Sequence, residues 1–295
     1  MIIVELKGGH SNQVFQYATG RALAEKYGTE LKLDISWFEK QPKETKFPRR
    51  YEINCYGLRA TIASKSDLKK VGPPIMKSSL LLRLLRKVGI HSRFTIVTEK
   101  HLSFDSEILE SPDNSYLRGY WQNENYFLPI RELLIRELEP LTLLTKQNQK
   151  YLEAIQAVEA ISLHIRREDY VGVQEYSDFH GLTPLEYYQA AYNEICRLRN
   201  KKSLPLFVFS TDIDWCKENL KFDTKITYVE GNTNGSDDMR LMKHCKHNIM
   251  ANSSFSWWGA WLNNNPEKVV VATKIWFQDK IANQQMELPK NWIRL

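Results

Sequence analysis

The chain has 295 residues, 42% hydrophobic and 26% charged, which is ordinary globular composition and long enough for two domains around separate cores. Its formal net charge of +6 suits phosphate-bearing ligands or an anionic membrane surface. It falls short of the dense basic patch of a nucleic-acid binder, so no nucleic-acid partner is expected.

MIIVELKGG opens the chain without a basic region followed by an apolar one, so no signal peptide is read there. IIVEL (2–6) predicts a buried strand and KGGHS (7–11) a loop. From Asn12 the apolar residues Val14, Phe15, Ala18, Ala22 and Leu23 recur at helical spacing, with Gly28 as the residue that ends the helix. ELKLD (30–34) predicts a second strand, completing a βαβ opening with glycines in its first turn. Residues 37 to 118 carry few periodic signals. Within them, SSLLLRLLRKVGI (78–90) is basic and amphipathic, and reads either as a helix with one buried face or as a peripheral membrane contact. PIRELLIRELEPL, from 129, predicts a helix, and a domain boundary is placed near residue 150.

The second half alternates. Strands are predicted at AISLHI (160–165), LPLFVFS (204–210), KITYVEG (225–231), IMAN (249–252) and KVVVAT (268–273). Helices lie between them, the first with Thr183 as N-cap and Pro184 in its first turn. This alternation predicts a parallel sheet covered by helices on both faces, with ligands at the carboxyl ends of its strands. The four cysteines form no CxxC pair or disulfide framework and read as reduced cytosolic thiols. No apolar run approaches the roughly 20 residues that span a bilayer.

The strand ends of the second half are polar. HIRRED ends the first, STD (210–212) the second and ANSSFS (251–256) another. Arginine forks match phosphate oxygens bidentately, and Ser253 and Ser254 stand where a helix N-terminus receives anions. Arg166 and Arg167 therefore suit a diphosphate, and the alternative is an internal ion pair between Arg166 and Glu168 or Asp169. Asp212-Ile213-Asp214 resembles a metal-holding DxD element, but the segment fits equally as a helix cap. His244, Cys245 and His247 match neither a zinc finger nor HExxH, and no Ser–His–Asp arrangement is readable.

GGHSNQVFQYA, HIRREDYV, FVFSTDIDWCK and NIMANSSFSWWGAWL, in this order, resemble the bacterial α-1,2-fucosyltransferases of glycosyltransferase family 11. The resemblance runs from residue 1 to about 275. It implies a GT-B-like α/β fold of two Rossmann-like halves facing a cleft: an acceptor-side domain over 1–150 and a GDP-sugar-binding domain with a regular parallel sheet over 151–295. It implies inverting, metal-independent transfer from GDP-fucose to O2 of a terminal galactose, on a glycan such as an O-antigen. No cofactor is expected. The enzyme would be cytoplasmic, with membrane contact through 78–90 where the acceptor is lipid-linked.

By position, Arg166 resembles the essential arginine on the β-phosphate, with Arg167 in support. His164 and Asp238 resemble the pair that recognises guanine, and Asn252, Ser253, Ser254 and Asp212 complete the donor side. Asn12 and Asp169 are carried over as catalytic, Asp169 as first choice of general base, with Glu175, Asp178 and His180 also following the arginines. On the acceptor side stand His10, Gln13, Glu175 and His180, with Trp37, Tyr120 and Trp121 as candidates for sugar stacking. The sequence departs from the family pattern at His10 and Ser11, which replace Leu and Gly of the usual opening loop, and at Glu168, where Gly is more usual.

Overall fold

The computed structural model describes residues 1–42, 44–71, 94–167 and 174–295, and of 174–176 the backbone alone. The amphipathic stretch 78–90, Glu168 and Asp169 lie outside the described residues. The chain divides into two compact units, Met1–Leu138 and Glu139–Leu295.

In the first unit the strands are β1 (Ile2–Glu5), β2 (Leu31–Asp34), β3 (Thr61–Ile62), β4 (Thr95–Thr98) and β5 (Ser115–Arg118), in sheet order β3-β2-β1-β5-β4 with parallel pairing. The helices are α1 (His10–Tyr27), α2 (Lys65–Val71) and α3 (Arg131–Glu137). Helix α1 begins at His10, two residues before the expected start. Gly8 turns at φ 75°, and the N–H groups of Asn12 and Gln13 both close on the Gly9 carbonyl. It ends as expected at Gly28, whose φ of 57° is left-handed and whose N–H returns to the last turn. The helix expected from residue 129 is α3, preceded by a 3-10 turn over Leu128–Ile130.

The second unit holds β6 (Ile161–Ile165), β7 (Leu206–Ser210), β8 (Ile226–Tyr228), β9 (His247–Ile249), β10 (Val270–Ala272) and β11 (Ile293–Arg294). Its helices are α4 (Lys146–Gln156), α5 (Gln174–His180), α6 (Leu185–Leu198), α7 (Ile213–Asn219), α8 (Gly235–His244), α9 (Ser254–Trp261) and α10 (Lys280–Gln285). Sheet order is β11-β10-β9-β6-β7-β8, all parallel. Counted from β6 this is 6-5-4-1-2-3, the doubly wound order, and it reverses direction between β6 and β9.

Alternation along the strands sorts the core onto two faces. Ile161, Leu163 and Ile165 of β6 pack with Tyr188, Ala191 and Ile195 of α6. Phe207 and Phe209 of β7 point the other way, to Ile155 of α4 and Leu241 and Met242 of α8. This packing moves the expected boundary. Residue 150 falls inside α4, whose Ile155 belongs to the core of the second unit, and the division falls instead after Leu138.

Two further expectations shift. Strand β9 lies at His247–Ile249 rather than 249–252, because the Ser253 N–H turns back onto the Ala251 carbonyl. Helix α6 takes Pro184, not Thr183, at its N-cap position. The Thr183 hydroxyl donates to Asn252 Oδ1 at 3.0 Å instead.

Candidate active site

Five of the expected donor residues, Arg166, Arg167, Asn252, Ser253 and Ser254, follow the strands that flank the reversal point of the second unit. His164 is the last residue but one of β6, on the face opposite Ile165. Its imidazole is buried, lies 2.9 Å from Ser256 Oγ through Nδ1, and is 5.3 Å from the Phe255 ring. The Ser256 hydroxyl also reaches the Ala251 carbonyl at 3.4 Å, and when it donates there the imidazole donates through Nδ1 and Nε2 is an acceptor. Burial, and then the charge of Arg166, push this imidazole down to about 3. It is neutral at any working pH.

Arg166 lies close enough for its charge to act on His164. Arg167 turns to the α6 and α7 side. Its guanidinium stacks 3.8 Å over the Trp215 ring, and its Nε donates to Asp212 Oδ2 at 3.1 Å. Asp212 also caps α7, its Oδ1 accepting from the Trp215 N–H. The anion for Arg167 is therefore Asp212, from the next strand end. Asp214 is exposed and 3.7 Å from Lys217. Among the described residues no group of three or more His, Cys, Asp or Glu is arranged to hold a metal ion.

Ser253 is the N-cap of α9, its Oγ accepting from the Phe255 N–H at 3.2 Å. That use leaves its O–H as a donor, beside the first-turn N–H groups and positive dipole end of an eight-residue helix. Ser254 opens the same turn. Asn252 serves the fold. Its amide donates to the carbonyls of His180 at 2.8 Å, Gly181 at 3.2 Å and Trp276 at 3.3 Å, clasping the chain after α5 to the segment after β10. His180 itself packs its ring on Phe179 and Phe277.

Asp238, in the first turn of α8, accepts from Asn232 Nδ2 at 2.7 Å. Burial, then the neighbouring Asp237, push its carboxyl up to about 6. A Cβ on Gly235, at the start of α8, would meet the Phe255 ring at 3.0 Å. Phe255 thus links the α8 N-terminus to His164.

In the first unit the loop after β1 is held from within. Gln13 is wholly buried and donates to the carbonyls of Gly8 and Arg50, while its Oε1 accepts from the Glu52 N–H. Asn12 Oδ1 accepts from Gln122 Nε2 at 2.8 Å, tying the loop after β1 to the segment after β5. His10 Nε2 lies 2.9 Å from the Tyr56 hydroxyl, and burial lowers its imidazole to about 4. Neutral His10 is therefore a hydrogen-bonding group, not a proton donor, near pH 7. Trp121 is not available for sugar stacking. Its ring is 0% exposed and sits edge-on to Tyr126, with the backbone at φ 58°. Glu99 fixes it, accepting from the N–H groups of Tyr120 and Trp121. Tyr120 keeps a partly exposed ring under Lys7 Nζ, at 4.5 Å, and Trp37 is half-buried, edge-on to Phe38.

Sequence reasoning missed Trp215, Ser256, Phe255 and Tyr56. Trp215 was findable, since it stands one turn after Asp212 at a helix start. Tyr56 lies 46 residues from His10 and left no local trace.

The family model for glycosyl transferase family 11 matches residues 92–295. An α-1,2-colitosyltransferase of Escherichia coli is 31% identical over 100% of this chain and 99% of its own. The O-antigen biosynthesis glycosyltransferase WbnK of the same organism is 32% identical, over 98% of this chain and 99% of its own. Galactoside α-(1,2)-fucosyltransferase 2 of Pongo pygmaeus is 26% identical, over 50% of this chain and 44% of its own. Among solved structures, the α-1,6-fucosyltransferase NodZ soaked with GDP-fucose aligns over 88% of this chain and 92% of its own, at 14% identity and TM-score 0.47.

Proposed function

The chain belongs to glycosyltransferase family 11, and we propose that it transfers L-fucose from GDP-β-L-fucose, with inversion, to O2 of a terminal galactose on an O-antigen-type glycan. One observation carries the donor reading: Arg166 and the Ser253-capped start of α9 stand at the strand ends on either side of the reversal point of a doubly wound sheet. A diphosphate meets there a guanidinium fork, a hydroxyl donor and helix N–H groups.

The chemistry follows from charge. The galactose O2 attacks the anomeric carbon as its bond to the β-phosphate oxygen breaks, and negative charge grows on GDP. Arg166 and the α9 N-terminus neutralise that charge more strongly in the transition state than in the ground state, which is what accelerates transfer. Neutral His164 and ionised Asp238 hold the base. The proton of O2 passes to a carboxylate, for which Asp169 is our assignment. Acceptor recognition is assigned to the first unit, with His10, Trp37 and Tyr120. A second reading is favoured by the full-length similarity to a colitosyltransferase: the same chemistry on a donor sugar that lacks the 3-hydroxyl of fucose.

The test is GDP release from GDP-fucose in EDTA, with and without lactose and a β-1,3-linked galactoside. Acceptor-stimulated release is expected. Release only from GDP-colitose would move the donor to the second reading. Binding of GDP without release from either donor would overturn catalysis, and absence of GDP binding would overturn the nucleotide site.

A further inference from the structure

A line of amides runs to Asp238 from the interior of the second unit. Asn232 Nδ2 donates to Asp238 Oδ1 at 2.7 Å, and Asn148 Nδ2 donates to Asn232 Oδ1 at 2.7 Å. Asn148 is 0% exposed in the first turn of α4, and its Oδ1 is buried with no hydrogen-bond partner among the described residues.

The polarity of this line is forced from its outer end. An ionised carboxylate only accepts, so Asn232 must present its NH2 group to Asp238. That turns Asn232 Oδ1 inward, and Asn148 must answer with its own NH2. The inner oxygen of Asn148 then has no donor. Rotating Asn148 would set two amide oxygens against each other, and rotating Asn232 as well would set an oxygen against the carboxylate. A buried acceptor without a partner is an uncommon feature of native proteins. Here it persists because the line fixes the direction of Asn232.

Asn232 is the one hydrogen-bond donor to Asp238 among the described residues, whereas a carboxylate has about four lone-pair sites. Its raised pKa agrees with a carboxylate that is underfilled by the protein. A ligand offering two parallel N–H donors completes it. Resting on the guanine-nucleotide reading above, we infer that Asn232, braced by Asn148, is a positioning residue that orients the Asp238 carboxylate and so sets selectivity for a purine bearing both N1–H and a 2-amino group.

The experiment compares dissociation constants of GDP and inosine diphosphate, which lacks the 2-amino group, for the whole chain and two variants. Wild type prefers GDP. Asn232→Ala should lower the GDP-to-IDP preference by about tenfold, as expected for a charge-assisted hydrogen bond set out of line, with IDP affinity changed much less. Asn148→Ala should shift the preference in the same direction, by roughly threefold. A purely structural role would weaken both nucleotides together and leave their ratio alone, and that result overturns the inference. Failure of wild type to bind GDP would instead overturn the nucleotide reading on which it rests. If Asn232→Ala does not fold, the ratio in Asn148→Ala decides.

Discussion

Arg166 and Arg167 are adjacent in sequence and differ in task. Arg167 has its anion in Asp212 and its platform in Trp215, so it is a fixed support. Arg166 acts by its charge on His164 and is the residue we assign to the β-phosphate. Arg166→Lys keeps the charge and loses the planar fork, so kcat should fall by about 10²- to 10³-fold, with a smaller change in GDP affinity. Trp215→Leu removes the stack under Arg167 and should lower kcat by about tenfold, while Trp215→Phe, which keeps an aromatic face, should recover most of it. Steady-state kinetics beside GDP titrations separates these outcomes. Asp238 gives a pH dependence. Burial raises its carboxyl from an ordinary 3.8 to about 6, and only the ionised form accepts from both guanine donors. Donor kcat/KM should therefore decline as pH falls through about 6, and Asp238→Asn should flatten that limb. Stability moves the opposite way. A carboxyl with a raised folded pKa favours the fold below its ordinary value, and that contribution is lost as pH rises through about 6.

At the scale of elements, short turns set where the helices begin. The Gly8 backbone is left-handed, and a Cβ there would lie 2.6 Å from Asn12 Nδ2. Gly8→Ala thus combines backbone strain with displacement of Asn12, and should destabilise the chain by about 2 kcal/mol, read by thermal denaturation. Most elements were legible from periodicity: β1, α1 with its Gly28 stop, and the alternation from β6 to β10 follow from apolar spacing alone. The departures have local causes. Helix α1 starts early because two N–H groups share the Gly9 carbonyl, and Thr183 gives its hydroxyl to Asn252 rather than to α6. The candidate site could be proposed from sequence where it is contiguous, as in HIRR and NSSFS. It was not legible where distant segments meet, as with Asn148 and Asn232, or where burial cancels an expectation, as with Trp121. An exposed aromatic and a core aromatic have the same letter; only packing tells them apart.

At the scale of the molecule, every residue we assign to the donor belongs to the second unit, Glu139–Leu295. That unit has a six-stranded sheet of its own and apolar clusters on both faces, with Leu163 and Tyr188 packed on one side and Phe209 and Leu241 on the other. Its entry segment is also secured from within. Buried Arg240 donates to the carbonyls of Pro140 and Thr142, at 2.8 Å each, and Lys243 pairs with Glu139. A core of this kind is large enough to fold without the rest of the chain. Residues 139–295 produced alone should therefore give a cooperative melt and bind GDP within about tenfold of the whole chain, since no named nucleotide contact is removed. They should release no GDP from a donor sugar in response to lactose, because acceptor recognition is assigned to the other unit. Calorimetry and the release assay on the same preparation check both halves of this expectation. A folded fragment that fails to bind GDP would mean that the first unit supplies part of the nucleotide site, and would make Asn12 and His10 candidates for it.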